Sequence, residues 1–310
     1  NQYHQYYCVD DSLGLPDNNI TDIYRDSHNR LWVATVNGVC LYQANGNFKR
    51  VSINSANKNI EKILEDKEGR IFFFTITDLY QYDEKNNKAI TRLSKMVEKN
   101  CYNFSCHIDR KDVLWIVTSY SVKGYRTRDL KLIAPNPVQS YPIASFLLDG
   151  HQLYISGYNG MQLFDTDTRK WQQLPAALQG LQIPNDMVSG IHPYGEKGNL
   201  LLSTTKHGLL YFNAQEETIL PQSDKNFPFE VPDMQVNKML TDSKGNLWLG
   251  SEDDGVKTIY RYKDMFNSMP ALQRAIGKQP VLSVATDRNH HLWISTKKNG
   301  LYMYDLQTQQ

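Results

Sequence analysis

Apolar and polar residues alternate with period two in short segments that return along the whole chain. Leu31-Trp32-Val33-Ala34-Thr35 aligns with Ile71-Phe72-Phe73-Phe74-Thr75, Leu114-Trp115-Ile116-Val117-Thr118 and Leu153-Tyr154-Ile155-Ser156-Gly157. Leu200-Leu201-Leu202-Ser203-Thr204, Leu247-Trp248-Leu249-Gly250-Ser251 and Leu292-Trp293-Ile294-Ser295-Thr296 complete seven copies, with a large side chain at every second position. The second positions stand 39 to 47 residues apart. Alternation rich in Ile, Val, Tyr and Thr predicts strands. A repeat of about 40–45 residues built from strands is a four-stranded propeller blade rather than a helical solenoid unit.

The first unit shows the order of elements. Ile20 to Tyr24 is the inner strand, Asp26 to Asn29 a turn, and Leu31 to Thr35 the second strand. Asn37-Gly38 turns into Val39 to Tyr42, and Asn45-Gly46 leads to an outer strand over Phe48 to Ser52, because Asn and Gly accept the positive φ of tight turns. The expected fold is therefore all-β: one seven-bladed β-propeller over residues 1–310, with four-stranded antiparallel blades. Its repeats fall near 18–58, 59–100, 101–139, 140–183, 184–234, 235–279 and 280–310. The last unit stops at Asp305 without an outer strand, so residues 1–9, with Tyr3 to Cys8 as the strand, are expected to close the ring and remove its free edges. The irregular stretches at 222–236 and 267–280 read as interblade loops.

Composition changes this picture little. A chain that is 40% hydrophobic and 11% aromatic supports a large core. A net charge of +1 gives no global field for nucleic acid or an anionic membrane, so neither partner is expected of this domain. No apolar run approaches the roughly 18 residues of a bilayer span, and the expectation is a soluble domain. The start at Asn1 rather than Met suggests a processed or truncated product. Cys8, Cys40, Cys101 and Cys106 lack zinc-site spacing and are read as small buried side chains. Cys101 to Cys106 and Cys8 to Cys40 remain the disulfide alternatives.

The stretch Gly14-Leu15-Pro16-Asp17-Asn18-Asn19-Ile20-Thr21-Asp22-Ile23-Tyr24-Arg25-Asp26, followed by Leu31 to Val39, resembles the two-component regulator propeller repeat. Thr241-Asp242-Ser243-Lys244-Gly245-Asn246-Leu247-Trp248-Leu249-Gly250-Ser251 is similar to another copy. The resemblance implies the N-terminal, periplasmic propeller of a Bacteroides-type hybrid two-component sensor anchored in the inner membrane. It implies an oligosaccharide ligand, a second propeller and downstream sensor domains on the same polypeptide, and no kinase chemistry in this part. The repeat residues are scaffold in that family, so the motif assigns no site.

Sites are expected where the repeats disagree, on loops joining second to third strands. The candidates are Tyr120, Tyr158, Asn159, Lys206, His207, Asp253, Asp254 and Lys297. Aromatic rings there would stack on a pyranose while amides and charges read its hydroxyls; solvated turns are the alternative. Asp253 and Asp254 are neighbours that point oppositely in an extended segment, a poor arrangement for paired-carboxylate glycoside chemistry. The eight His lack HxH or HExxH spacing, and no catalytic residue, metal or cofactor is expected. Asp26, Asp66, Asp109, Asp242 and Asp287 recur after the inner strands and are expected to fix turns through backbone N–H groups. The leading expectation is a non-enzymatic, oligosaccharide-sensing domain. The alternatives are a protein-interaction scaffold, with a homodimer mate among its partners, and a glycoside hydrolase or lyase.

Overall fold

A computed structural model of the chain describes residues 6, 8, 13–97, 101, 104–138, 142–157, 160–179, 181, 186–231, 234–251, 255–260, 275–276, 281–287, 291–296 and 301–305. The first antiparallel sheet, in order, is β1 (Ile20–Arg25), β2 (Leu31–Thr35), β3 (Gly38–Tyr42) and β4 (Phe48–Arg50). The second joins β5 (Ser52–Ile53) to β9 (Lys88–Ser94), β8 (Asp78–Asp83), β7 (Ile71–Phe74) and β6 (Lys62–Glu65). The third is β10 (Phe104–Ile108), β11 (Val113–Thr118), β12 (Ser121–Arg126) and β13 (Leu132–Pro137). The fourth is β14 (Pro142–Leu148), β15 (Gln152–Gly157), β16 (Gly160–Asp165) and β17 (Lys170–Gln172), followed by a short helix α1 (Ala176–Gln179). The fifth is β18 (Val188–Pro193), β19 (Leu200–Thr204), β20 (Leu209–Asn213) and β21 (Thr218–Pro221). Three strands each form the sixth, β22 (Lys238–Thr241), β23 (Leu247–Gly250) and β24 (Val256–Ile259), and the seventh, β25 (Val281–Thr286), β26 (His291–Thr296) and β27 (Leu301–Asp305).

Two compact units carry these sheets, Asn1–Leu240 with Trp248–Thr258, and Thr241–Leu247 with Ile259–Gln310. Apart from end residues of the sixth, the first six sheets lie in the larger unit; the seventh lies in the smaller. Closure of a seven-bladed ring is thus an expectation that the fold leaves to inference. The expected closing strand falls mostly outside the described residues. Of that segment, Cys8 bridges Leu15, and the Tyr6 ring packs edge-on against Tyr42 and Phe48 of the first sheet.

Alternation sets the packing of the larger unit. Trp32 and Ala34 face the second sheet, meeting Ile63, Phe73 and Tyr80. Phe72 and Phe74 face the third, meeting Cys106, Leu114 and Ile116. Trp115, Val117 and Val122 meet Leu153, Ile155 and Phe164 of the fourth, whose Tyr154 and Leu163 in turn meet Ile191, Leu200 and Leu202 of the fifth. The second to fifth sheets bury apolar residues on both faces, so these units depend on their neighbours. The stacked antiparallel sheets are blades of a β-propeller.

The recurring aspartates close the turns as expected. Asp26 Oδ1 accepts from His28 N and Arg30 N, Asp66 Oδ1 from Glu68 N and Arg70 N, and Asp109 Oδ1 from Lys111 N and Val113 N. Asp242 and Asp287 repeat the device. The other carboxylate oxygen holds the ring at the recurring Trp position: Trp32 Nε1–H donates to Asp26 Oδ2 at 2.8 Å, Trp115 to Asp109 at 2.7 Å and Trp293 to Asp287 at 2.9 Å. In the second sheet Phe72 has no N–H to give; Arg70 Nε donates to Asp66 Oδ2 at 2.6 Å, as Arg30 Nε does to Asp26 Oδ2 in the first.

The outer strand of the first unit departs from expectation. It ends at Arg50, and Ser52–Ile53 crosses to pair in parallel with β9 of the next sheet. The stretch 222–236 is an interblade loop as read, while the second such loop lies almost wholly outside the described residues.

Candidate functional site

The loops between second and third strands share a frame set by one hydroxyl. Thr35, Thr118 and Thr204 end their strands and Thr75 directly follows its own, and each Oγ1 accepts a backbone N–H: from Asn37, Ser121, His207 and Asp78 respectively. Lead-in segments to the inner strands meet these loops. Val36 N donates to Asn19 O, and Thr205 N lies 3.1 Å from Met187 O. The two kinds of loop therefore share a face.

On the fifth sheet this frame carries an additional group, Asp186. Its side chain is fully buried. Backbone N–H groups of Thr205, Lys206 and His207 converge on the carboxylate at 2.8, 3.1 and 3.0 Å, and Met187 N adds a fourth at 2.7 Å. The Thr205 hydroxyl also donates to Oδ1, and His207 Nδ1 donates to Oδ2 at 2.6 Å. Burial alone would raise the Asp186 carboxyl, but the hydrogen bonds, those of Thr205 and His207 foremost, outweigh it and hold the group well below the ordinary carboxylate range.

The far end of the loop is fixed as well. Gly208 has φ of +75°, and an added Cβ would collide with the Gln222 amide, which accepts from Leu209 N at 2.8 Å. Gln235, in the lead-in to the sixth sheet, donates from Nε2 to Thr205 O at 2.6 Å.

Of the expected site residues, Lys206 and His207 lie here together and exposed. Tyr120 is 44% exposed on the third sheet's loop, its N–H held by Thr118 Oγ1 at 3.3 Å. Tyr158, Asn159, Asp253, Asp254 and Lys297 lie outside the described residues. Sequence reasoning missed Asp186, which the fold brings to a loop about twenty residues later. The available signal was its place just before an inner strand, where the first repeat has Asn18.

All four cysteines are free; Cys40 and Cys106 are buried as expected, but Cys8 is exposed and Cys101 half-buried. Burial pushes the Cys40 thiol up to about 12, the nearby Arg50 opposing it only in part. Among the described residues no three His, Cys, Asp or Glu side chains gather as metal ligands, and no helix is long and apolar enough to cross a membrane.

The two-component regulator propeller family matches residues 14–37 and 230–253. Those two segments match the two-component regulator propeller repeat. A curated relative, histidine kinase P4 of Formosa agariphila, is 26% identical over 91 residues, which is 28% of this chain and 7% of that protein. The repeats superpose on the extracellular domain assigned to a hybrid two-component system of B. thetaiotaomicron with a TM-score of 0.57 at 16% identity, covering 93% of this chain and 40% of that one. A second B. thetaiotaomicron extracellular domain, assigned to a one-component system, gives 0.52 at 13% identity, with 96% and 46% covered. The chain thus spans less than half the length of either. A catalytically inactive virginiamycin B lyase from Staphylococcus aureus superposes as well, at 0.55 and 12% identity, over 96% of this chain and 97% of that one. At such identities these likenesses show the propeller fold alone.

Proposed function

We propose that this chain is a ligand-sensing propeller from the periplasmic region of a hybrid two-component system, and that it binds an oligosaccharide without turning it over. The observation that carries the reading is the repeat match, joined to a superposition along 93% of the chain on an extracellular two-component domain. The shares of 40% and 46% of those domains leave room for a second propeller and further sensor domains on the same polypeptide. The face of the fifth sheet supports binding over chemistry: its carboxylate Asp186 is buried and saturated with donors, while exposed Lys206 and His207 offer polar contacts.

The same reading includes one seven-bladed ring closed by the N-terminal segment. Its support is a parallel between two wraps. Ser52–Ile53 leaves the first sheet's outer strand and runs along β9, the outer strand of the second sheet. Leu13 lies along β4 in the same manner, its carbonyl accepting from Phe48 N at 2.8 Å, and Arg50 donates to Gly14 O and Leu15 O at 2.9 and 2.7 Å. Residues 13–15 thus lie on β4 much as Ser52–Ile53 lies on β9, which supports a closing strand before them.

Calorimetry of the chain against a panel of plant, algal and host oligosaccharides, with chromatography of the mixtures, tests the sensing function. Binding at micromolar to millimolar Kd with intact saccharides is the expected result. Release of smaller sugars would make it an enzyme. Failure to bind any saccharide, with association to itself or to a second propeller, would make it an interaction scaffold.

A further inference from the structure

An ionised carboxylate only accepts hydrogen bonds, so the 2.6 Å contact between Asp186 Oδ2 and His207 requires the proton on Nδ1. Neutral imidazole carries one proton, and Nε2 is then left with a lone pair. The His207 side chain is 56% exposed, whereas Asp186 is fully covered. The ring's buried edge is therefore anchored and its outer edge faces solvent. No partner for Nε2 is seen among the described residues.

The anchor itself is rigid. Four backbone N–H groups and the Thr205 hydroxyl hold the same carboxylate, Gly208 and Gln222 fix the loop behind it, and Gln235 pins Thr205 from the next lead-in. A scaffold role for Asp186 needs only the backbone contacts. The bond to an exposed imidazole adds nothing to burial and orders a side chain that would otherwise be free, at an entropic cost. Such a cost is met where a ring must be presented in one tautomer and one direction.

We infer that Asp186 is a positioning residue that presents His207 Nε2 as a fixed hydrogen-bond acceptor for a ligand hydroxyl. The inference rests on the sensing function proposed above and deepens it: the ligand brings a donor to Nε2, as a neutral saccharide hydroxyl does, beside the exposed Lys206. A carboxylate or phosphate with no donor of its own would not use this atom.

Nitrogen-15 NMR of the ligand-free chain above neutral pH reads the tautomer directly. His207 is expected with Nδ1 protonated and Nε2 in the range of an unprotonated ring nitrogen; Asp186→Ala is expected to revert to the Nε2–H form that free histidine prefers. A native His207 with its proton on Nε2 overturns the inference, whatever the variant does. Calorimetry with the saccharide panel supplies the second arm. His207→Ala, an exposed substitution, is expected to weaken binding tenfold or more, with part recovered by H207Q, whose amide oxygen still accepts. Unchanged affinity for every bound saccharide overturns the contact. Absence of any saccharide binding by the native chain overturns the contact together with the sensing function, whereas a wrong tautomer with intact binding overturns the inference alone.

Discussion

His107 shows how a single side chain acquires properties that its position in the sequence does not announce. It lies on inner strand β10, and its Nε2 is 2.9 Å from Ser145 Oγ and 3.1 Å from Ser145 O on the next sheet's inner strand. Burial, with a smaller push from the Lys62 ammonium, takes its pKa from 6.5 down to about 4. Lys62 itself pairs with Asp22 at 2.9 Å, so the cation is fixed nearby. In the unfolded chain His107 takes up a proton below about pH 6.5, while the native chain refuses it until about pH 4. Stability tied to this residue is thus complete above pH 6.5 and is lost as pH falls toward 4. At about 1.4 kcal/mol per pKa unit, the loss across that window is about 3 kcal/mol. Urea unfolding of the native chain should show its midpoint falling over this range, and His107→Gln should flatten that dependence. Parallel profiles would remove His107 as the cause. The sequence places His107 on an inner strand but says nothing of its burial, which depends on Ser145, 38 residues away. Asp186 is hidden for the same reason: its partners at 205–207 reach it only through the fold.

At the scale of the element, the sequence is far more legible, because strand period and turn chemistry are local. The alternation over Leu31–Thr35 coincides with β2 to the residue, and the recurring aspartates stand at their turns. Two features escaped a one-dimensional reading. The indole donors that use the second aspartate oxygen are six residues away across a hairpin, and the space for each ring is set by the facing strand. Trp115 is paired across the ladder with Gly124, where Trp32 is paired with Leu41. A Cβ on Gly124 would stand 2.9 Å from Trp115 Cζ3, inside contact distance of a ring with no exposure. Gly124→Ala should therefore cost about 1–3 kcal/mol as an overpacked core site. Trp115→Phe removes the 2.7 Å bond to buried Asp109 and should cost about 1–3 kcal/mol through the unpaired acceptor. The smaller ring makes room for the added methyl, so the double variant should lose less than the two single losses combined. Chemical denaturation of the four proteins measures that coupling, and strict additivity would show that Gly124 does not serve the ring.

At the scale of the whole molecule, the sheets recur as the sequence does, yet repetition alone does not decide how a chain of repeats ends. A solenoid caps its ends with polar faces, whereas a ring joins them. The first sheet argues for joining. Its Val33, Cys40 and Phe48 bury an apolar face under Leu15 and Tyr42, so the incoming segment is already part of the core. Arg50 ties that segment down through two carbonyls. On the closure proposed above, the residues before Leu13 would supply the strand that the three-stranded sheet ending with β27 lacks. Removing residues 1–9 spares the Leu13 and Arg50 contacts on β4 and takes away the proposed strand together with the Tyr6 and Cys8 contacts on the first sheet. Hydrogen exchange followed by mass spectrometry should then show faster exchange across Leu301–Asp305, while peptides of β4 stay protected. Unchanged exchange at Leu301–Asp305 would mean that β27 never had a partner from the N-terminus. A loss confined to the first sheet would assign residues 1–9 to that sheet instead, because strand pairing protects the amides of both partners and of no others.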